Sequence, residues 1–451
     1  MNTPHAPTDT RAALQSLSVT ECSRSLYFDR FARPETEKEE RRDYFKDGLK
    51  TKSIPLKRDT WLTFLRAGLG QMPDDLRFAQ LQARLMVNMA GGVMENAGLC
   101  LDRFGIPYIP GSAVKGCARR MAIQQLFESG AGFQPPQPED ITAKSKRWEQ
   151  CAELLVRIAR VFGWGDLDWS HKQKDGRFIS DFAYACGQAD WDEIREPAVK
   201  ALFAAFPNWK PDTGKPLWQS LPNFAGSVSF LPAYPVQAPN PDLELDVVTC
   251  HHREYYAGNP QFADAPDTEE PVPVVFPAVA PGHVFVFAVV PLHGCDAALL
   301  NQARAWLKAG LETFGLGAKT NAGYGWFDCS EAVQNTGQEA VHRHLKKKQA
   351  EAEEQRKAQA EAETKARAER ERLARLPAHK RFKDEYSMLA DEPFASQAKK
   401  FTEMTDDQRH GFVLALKEKR ETAKRWAKKK PELIKPWQDY ARKLQPPIEL
   451  R

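Results

Sequence analysis

A run of 31 residues near the C-terminus is the feature that most constrains the architecture of this chain. Residues 345–375 are mainly Ala, Glu, Lys, Gln and Arg, with too few apolar side chains to enter a hydrophobic core. Several acidic residues stand four positions before a basic one, and leucine heptads are missing, so a solvated spacer helix is favoured over a coiled coil. We predict one charged helix over residues 345–376, about 45 Å long at 1.5 Å per residue. It separates a large body from a small C-terminal segment.

Charge is distributed unevenly between these parts. Residues 346–451 carry 28 Lys and Arg against 19 Asp and Glu, a formal charge of +9, whereas the first 345 residues carry 36 against 41, or −5. A mildly acidic body does not attract nucleic acid through its net charge, so nucleic-acid binding there must depend on local cations and backbone amides. Residues 377–451 mix aromatic and basic side chains, which predicts a small basic all-α extension whose partner is unknown.

Composition excludes several classes of protein. Hydrophobic residues make up 42% of the chain, enough for one large domain or two ordinary ones. No apolar run approaches the roughly 18 residues of a spanning helix, and the N-terminus does not resemble a signal peptide, so we expect a cytoplasmic protein without a membrane partner. The eight cysteines are scattered without a CxxC pair, so we predict no disulfide framework, no metal site and no cofactor.

The body alternates between strand and helix signals. Residues 1–80 are expected to form a helical or irregular lead-in, and residues 34–47 are too charged for a core. Residues 134–223 are interpreted as an insertion, with one helix near residues 146–161. The regular elements are a strand at 78–90, a helix at 112–126 capped by Ser112, strands at 226–233, 243–250 and 283–292, a helix at 296–314 capped by Asp296, and a strand at 325–328. This order predicts an α+β, ferredoxin-like or RRM-like domain over residues 81–330.

The Gly-rich segment GLGAKTNAGYG, residues 315–325, joins the second helix to the last strand. It is not a P-loop, because Ala318 stands where a glycine must precede Lys319 and because a P-loop runs from strand to helix. Glycines let a backbone approach a phosphodiester closely, and Lys319 adds a cation. The segment therefore fits a nucleic-acid backbone, although a tight helix-to-strand connection would also use glycines.

The segment IPGSAVKG, residues 109–116, contains the start of the first helix and suggests a second anion site. A helix N-terminus presents free amides to anions, and Lys115 stands in the first turn. In a β-α-β-β-α-β sheet, the first helix and the loop before the last strand can be neighbours. We therefore expect the two segments to form one groove.

These blocks carry a family resemblance. YIPGSAVKG (108–116) and GLGAKTNAGYGWF (315–327) resemble the signature motifs of RAMP proteins, the RRM-like subunits of CRISPR effector complexes. SLYFDRFARP (25–34), ARLMVNMAGG followed by ENAGLCLDRFGIPYIPGSAVKG (83–116), LDVVTCHHREYY (245–256) and PVPVVFPAVAPGHVFVF (271–287) resemble, in that order, the sixth-subunit family of type III-B Cmr complexes. The similarity covers about residues 25–330 and does not extend to the C-terminal segment.

The resemblance implies a non-catalytic RNA-binding subunit that holds the 3′ region of the CRISPR RNA and caps a filament of RAMP subunits. Its implied partners are CRISPR RNA, the other RAMP and small subunits of the Cmr complex, and target RNA by way of that complex. The residues that match the two motifs, and are expected to contact RNA or a neighbouring subunit, are Ser112, Lys115, Arg119, Gly315, Gly317, Lys319, Thr320, Asn321, Gly323, Tyr324 and Gly325.

The alternative function is an endoribonuclease of the RAMP type, which would process CRISPR RNA or cleave target RNA. His251 and His252 supply groups for acid–base cleavage, but a His- and Tyr-rich surface turn more often stacks bases or contacts a neighbour. Asp102 lies between the first strand and the first helix, where related target-cleaving subunits have an aspartate. Beside Arg103, it is more simply interpreted as an ion-paired loop residue.

Overall fold

The structure is a computed structural model. It describes residues 7–14, 21, 23–31, 38–51, 53, 56–88, 99–135, 138–170, 173–174, 177–261, 264–265, 267–419, 421–422, 424, 426 and 431–449. Residues 89 and 90 of the predicted first strand, residues 95–98 of the family-like blocks and part of the 34–47 segment lie outside these ranges. The chain divides into two compact units, Met1–Lys346 and Lys347–Arg451.

Helices dominate both units. In chain order they are α1 (Thr8–Leu14), α2 (Arg24–Asp29), α3 (Lys38–Gly48), α4 (Leu56–Thr63), α5 (Gly111–Ser129), α6 (Ile141–Phe162), α7 (Asp181–Cys186), α8 (Trp191–Ala205), α9 (Arg253–Tyr256), α10 (Ala297–Thr313), α11 (Glu331–Arg375), α12 (Ala378–Met388), α13 (Asp391–Lys399), α14 (Asp406–Glu418) and α15 (Pro431–Lys443). In the part of the chain that the structure describes, no helix combines the length and apolarity needed to cross a bilayer.

Strands are short, and all those among the described residues belong to the first unit. They are β1 (Arg77–Leu81), β2 (Gly163–Trp164), β3 (Gln173–Lys174), β4 (Arg177–Phe178), β5 (Phe224–Ala225), β6 (Val228–Phe230), β7 (Tyr234–Gln237), β8 (Leu243–Cys250), β9 (Val272–Val279), β10 (Val284–Phe287), β11 (Val289–Pro291) and β12 (Phe327–Asp328). Four of them form an antiparallel sheet in the order β12-β1-β10-β7, with α5 following its first strand and α10 preceding its last. The predicted mixture of helices and strands, α+β, is confirmed.

Several predicted elements match the structure. Strand β8 has the predicted bounds, and α10 begins after Asp296, whose carboxylate accepts a hydrogen bond from the Leu299 amide at 2.9 Å. The helix predicted to begin at residue 345 instead begins at Glu331 and runs to Arg375. The first part of α11 packs on the body. It is less charged than residues 345–375, so the composition that predicts the charged helix does not extend to it.

The pairing of the middle strands differs from the prediction. The second strand of the sheet is β7, which the sequence did not indicate because it is four residues long and contains Pro235; a sheet-edge strand tolerates proline. Strand β8 pairs instead with β9 in a separate hairpin, in which Asp246 lies opposite Phe276. The first strand ends at Leu81, well short of residue 90.

Both faces of the four-stranded sheet are covered. Alternate residues such as Leu81 and Phe285 face a core shared with α5 and α10. The opposite face, which includes Phe78 and Val286, packs against α4, the π-helical turn after it, and the start of α11. A side chain at Gly337 of α11 would lie within 2.2 Å of the Phe78 ring, so glycine permits this close contact.

Two segments that were expected to lie outside the core contribute to it. The charged helix α3 buries Tyr44 and Phe45, because both aromatic residues lie on one face of an otherwise polar helix. The insertion folds into α6, α7 and α8, which join the core around α5. Periodicity in α8 is interrupted by Pro197, so only tertiary packing reveals it as a helix.

The second unit has its own hydrophobic core. Helices α12 to α15 surround Phe394, Phe412 and Trp437, all at most 1% exposed. Helix α14 begins with a capping box, in which the Thr405 side chain and the Gln408 side chain each bond to the other residue's amide. These described residues of the second unit contain helices and no strand.

Candidate nucleic-acid interface

The Gly-rich loop folds tightly on itself and on the segment after β1. All four predicted glycines have positive φ angles, from +66° to +97°. A Cβ atom at Gly325 would lie 1.9 Å from the Leu316 carbonyl oxygen, and one at Gly317 would lie 2.3 Å from the Met86 carbonyl oxygen. The glycines therefore serve the helix-to-strand connection itself. Only Gly323, which has no atom within 4 Å of its Cβ position, leaves open space.

This geometry yields a first prediction. Gly325→Ala should lower the free energy of unfolding by about 2–3 kcal/mol, because a Cβ collides with backbone and φ is left-handed. Gly323→Ala is the matched control: it carries the same left-handed cost, about 1 kcal/mol, without the collision. Chemical denaturation of both variants measures the difference. Equal losses would show that the close approach to Leu316 does not constrain the loop.

Most of the loop amides are already occupied. Six of them donate to backbone carbonyl groups within the body: those of Leu316, Ala318, Ala322, Gly323, Tyr324 and Gly325. The loop therefore offers a phosphate fewer N–H groups than the glycine content suggested. What it presents is a tip of polar side chains.

That tip contains Lys319, Thr320 and Asn321. Lys319 adopts a left-handed conformation, φ +58°, and its ammonium lies 5.6 Å from the centre of the Phe276 ring of β9. Among the described residues, no carboxylate forms an ion pair with Lys319. Its charge is therefore available to an anion. Asn321 is exposed beside it.

Tyr324 anchors the loop rather than presenting a free hydroxyl. Its hydroxyl donates to Asp246 of β8 at 2.5 Å, and Arg84 contacts the same carboxylate at 3.2 Å. Burial, together with the hydrogen bond to Asp246, raises the pKa of Tyr324 to about 12. The hydroxyl thus remains protonated and holds the loop on the β8–β9 hairpin.

The first helix places Ser112 differently from the prediction. Helix α5 begins at Gly111 after Pro110, whose carbonyl accepts from the amides of Ala113 and Val114 at 2.9 and 3.1 Å. Ser112 is therefore an exposed residue inside the first turn and not the cap. The proline ring fixes φ near −60°, and the helix starts two residues earlier than a serine cap would allow.

Lys115 and Arg119 share a face of α5 but differ in their partners. Arg119 contacts Asp181, and also Asp168 at 3.4 Å, so the insertion neutralises its charge. Lys115 is half-buried, and no described carboxylate pairs with it. Burial lowers the pKa of Lys115, and the neighbouring Arg119 charge lowers it further. Of the two cations, Lys115 is the one available to an outside anion.

Helix α5 and the Gly-rich loop are neighbours, as the sequence predicted. The Cys117 thiol lies 3.5 Å from the Gly315 carbonyl oxygen, where α10 passes into the loop. The Arg120 guanidinium lies 4.2 Å from the centre of the Phe314 ring, directly before that point. Arg120 is an exposed cation that the sequence analysis missed, because only the contact between α5 and α10 shows which way it faces.

The histidines of the alternative function lie at the far end of β8. Their ring centres are 6.5 Å apart, His251 is exposed, and His252 is half-buried with Nδ1 lacking a partner among the described residues. No hydrogen bond within the described part of the chain orients either imidazole. Five residues separate Asp246 from His251, about 16 Å along a strand, so the pair is distant from the anchored loop.

The Asp102 side chain stabilises the turn that follows it. Its Oδ1 accepts hydrogen bonds from the amides of Phe104 at 2.9 Å and Ile106 at 3.0 Å. Arg103 lies over the Phe104 ring, 4.8 Å from its centre, and so does not form the ion pair that was expected. Elsewhere in the described ranges, no group of three or more His, Cys, Asp or Glu side chains is arranged to hold a metal ion.

Known proteins resemble part of this chain. A curated relative, the CRISPR system Cmr subunit Cmr6 of Pyrococcus furiosus, is 27% identical over 263 residues, which are 54% of this chain and 64% of that protein. The chain thus spans less than two thirds of that relative's length.

Two solved structures are also similar in part. The crystal structure of Cmr6 from Pyrococcus furiosus has 22% identity and a TM-score of 0.27, covering 56% of this chain and 97% of that one. A cryo-EM structure of the Type III-B Cmr-beta bound to cognate target RNA contains a chain with 16% identity and a TM-score of 0.30, covering 72% of this chain and 73% of that one. The model of the RAMP superfamily matches residues 62–328, more than half of the sequence, and the chain therefore belongs to the RAMP superfamily.

Proposed function

We propose that this chain is a non-catalytic RNA-binding subunit of a type III-B CRISPR effector complex in the cytoplasm. In this role it holds the 3′ region of the CRISPR RNA and caps a filament of RAMP subunits, contacting target RNA by way of the complex. Its similarity to Cmr6 supports membership of the complex. The other RAMP subunits and the small subunits are then its protein partners.

One observation carries the RNA-binding part of this proposal. Lys115 and Lys319 have no carboxylate partner among the described residues, and the elements that bear them touch where Cys117 meets Gly315. Arg120 lies beside the same contact. Cations on neighbouring elements can hold a polyanion even when the whole body is acidic, because phosphate binding is a local interaction.

The fold supports binding at this edge rather than at the centre of the sheet. RRM proteins stack bases on the open face of a four-stranded sheet. Here the corresponding face buries Phe78 and Val286 beneath α4 and α11. The strand order, with the last strand beside the first and the third beside the second, supports a ferredoxin-like RAMP domain. The helices of Lys347–Arg451 support an all-α extension.

Incubation of the purified chain with labelled CRISPR RNA tests this proposal. We expect the RNA to be retained and to remain intact, because the described part of the chain holds no oriented acid–base pair at the loop. Discrete cleavage products that disappear in His252→Ala would contradict it and favour the endoribonuclease. The same loss of products in His251→Ala would contradict it too, since His251 is the second imidazole of the candidate pair.

A further inference from the structure

One strip of the four-stranded sheet is left open beside the Gly-rich loop. On the face that buries Phe78, the next residues of the same orientation are Gln80, which is half-buried, and Gln82, which is exposed. Helix α11 covers this face at Phe78, where Gly337 contacts the ring. Exposure therefore increases along the first strand toward the loop.

Trp326 lies on this open strip. Leu81 and Phe327 pair in the sheet and both enter the core, so alternation directs Trp326 to the opposite face, beside Gln82. The Gln82 amide donates to the Trp326 carbonyl oxygen at 2.8 Å, which fixes the backbone at this point. The side chain of Trp326 is 37% exposed, and no ring among the described residues stacks on it.

The indole is held in place by the loop itself. Its Nε1–H donates to the Thr320 carbonyl oxygen at 3.2 Å, one residue after Lys319. A tethered ring loses little conformational entropy when a flat ligand stacks on it, which favours binding. Lys319 is the residue directly before this acceptor, and the side chains of Gln80 and Gln82 lie along the same strip.

We propose that Trp326 is a stacking platform for an unpaired nucleobase of single-stranded RNA, whose backbone phosphate is held by Lys319. The inference rests on the proposed RNA-binding function and adds a base contact to it. Base–aromatic stacking tolerates any sequence, because every base has a π-face. Gln82 Nε2 donates to Gln80 Oε1 at 3.2 Å, and the remaining donor and acceptor positions of the two carboxamides can bind the edge of that base. A protein partner is less favoured, since polar and cationic residues flank one isolated ring.

The test separates base contacts from phosphate contacts in the full chain. Two labelled probes of equal length are compared by fluorescence anisotropy: oligoadenylate, and a ribose-phosphate oligomer without bases. We expect Trp326→Leu to weaken oligoadenylate binding about tenfold and to leave binding of the base-free oligomer unchanged. Trp326→Phe keeps an aromatic ring and should stay within about threefold of the wild type. Lys319→Ala should weaken binding of both probes.

Three other outcomes would contradict either the inference or the proposed function. Equal binding of oligoadenylate by Trp326→Leu and the wild type would overturn the inference and leave the proposed function standing. Equal loss of both probes would overturn it as well, because the ring would then be acting on the fold. If the wild type bound neither probe, the proposed function itself would fail. Tyr184→Leu, which alters an exposed ring stacked on Phe127 of α5, is the control that should change nothing.

Discussion

Replacing Asp242 with alanine should lower the free energy of unfolding by about 3–5 kcal/mol. Asp242 accepts hydrogen bonds from Arg24 at 2.6 and 3.0 Å, and the Arg24 side chain is only 3% exposed. The same guanidinium donates to the carbonyl oxygens of Thr51 at 2.7 Å and Gly105 at 3.2 Å. Without the carboxylate, a buried cation would lose the acidic partner that it has among the described residues, and its desolvation would no longer be offset.

A neighbouring ion pair provides the matched control. Glu244 is two residues further on and contacts Arg84 at 2.9 Å, but these side chains are 33% and 43% exposed. Glu244→Ala should therefore cost at most about 1 kcal/mol. Urea unfolding of both variants, followed by tryptophan fluorescence, measures the contrast. Similar losses in the two variants would mean that the burial of Arg24 does not increase the contribution of its ion pair to stability.

The double variant Lys115→Ala, Lys319→Ala should weaken binding of CRISPR RNA about 100-fold. Each cation is expected to contribute about 1.5 kcal/mol or more through a charge-assisted hydrogen bond to phosphate. The slope of log affinity against log salt should decrease in magnitude by about 1.4, because two fewer phosphates are neutralised, each worth about 0.7 on a single strand. Salt titration of RNA binding measures both quantities.

The control for this variant removes two other lysines. Lys200 and Lys215 are exposed and are already paired with Glu196 and Asp212, so Lys200→Ala, Lys215→Ala gives the same change in net charge elsewhere. We expect it to alter RNA affinity less than about twofold, because exposed charges are screened over distance. Unchanged RNA retention and complex assembly in the Lys115, Lys319 variant would show that the binding site lies elsewhere.

The sequence predicted the parts of the site that depend on residue type, spacing and the order of the elements along the chain. Glycine spacing located the loop, and its contact with α5 followed from the order of strands and helices. Sequence could not distinguish Lys115 from Arg119, which stand four residues apart on one helix face. Only Arg119 meets Asp168 and Asp181, both contributed by the insertion.

The sequence alone determined the α+β character of the chain, the strand β8, the Asp296-capped helix and the charged run at residues 345–375, because periodicity, caps and composition act between neighbouring residues. Tertiary structure decided which faces are buried and which charges are paired. Arg24 and Asp242 are 218 residues apart, and Gly337 reaches Phe78 across the sheet. Such contacts depend on how distant segments pack, and no short window of sequence contains both partners.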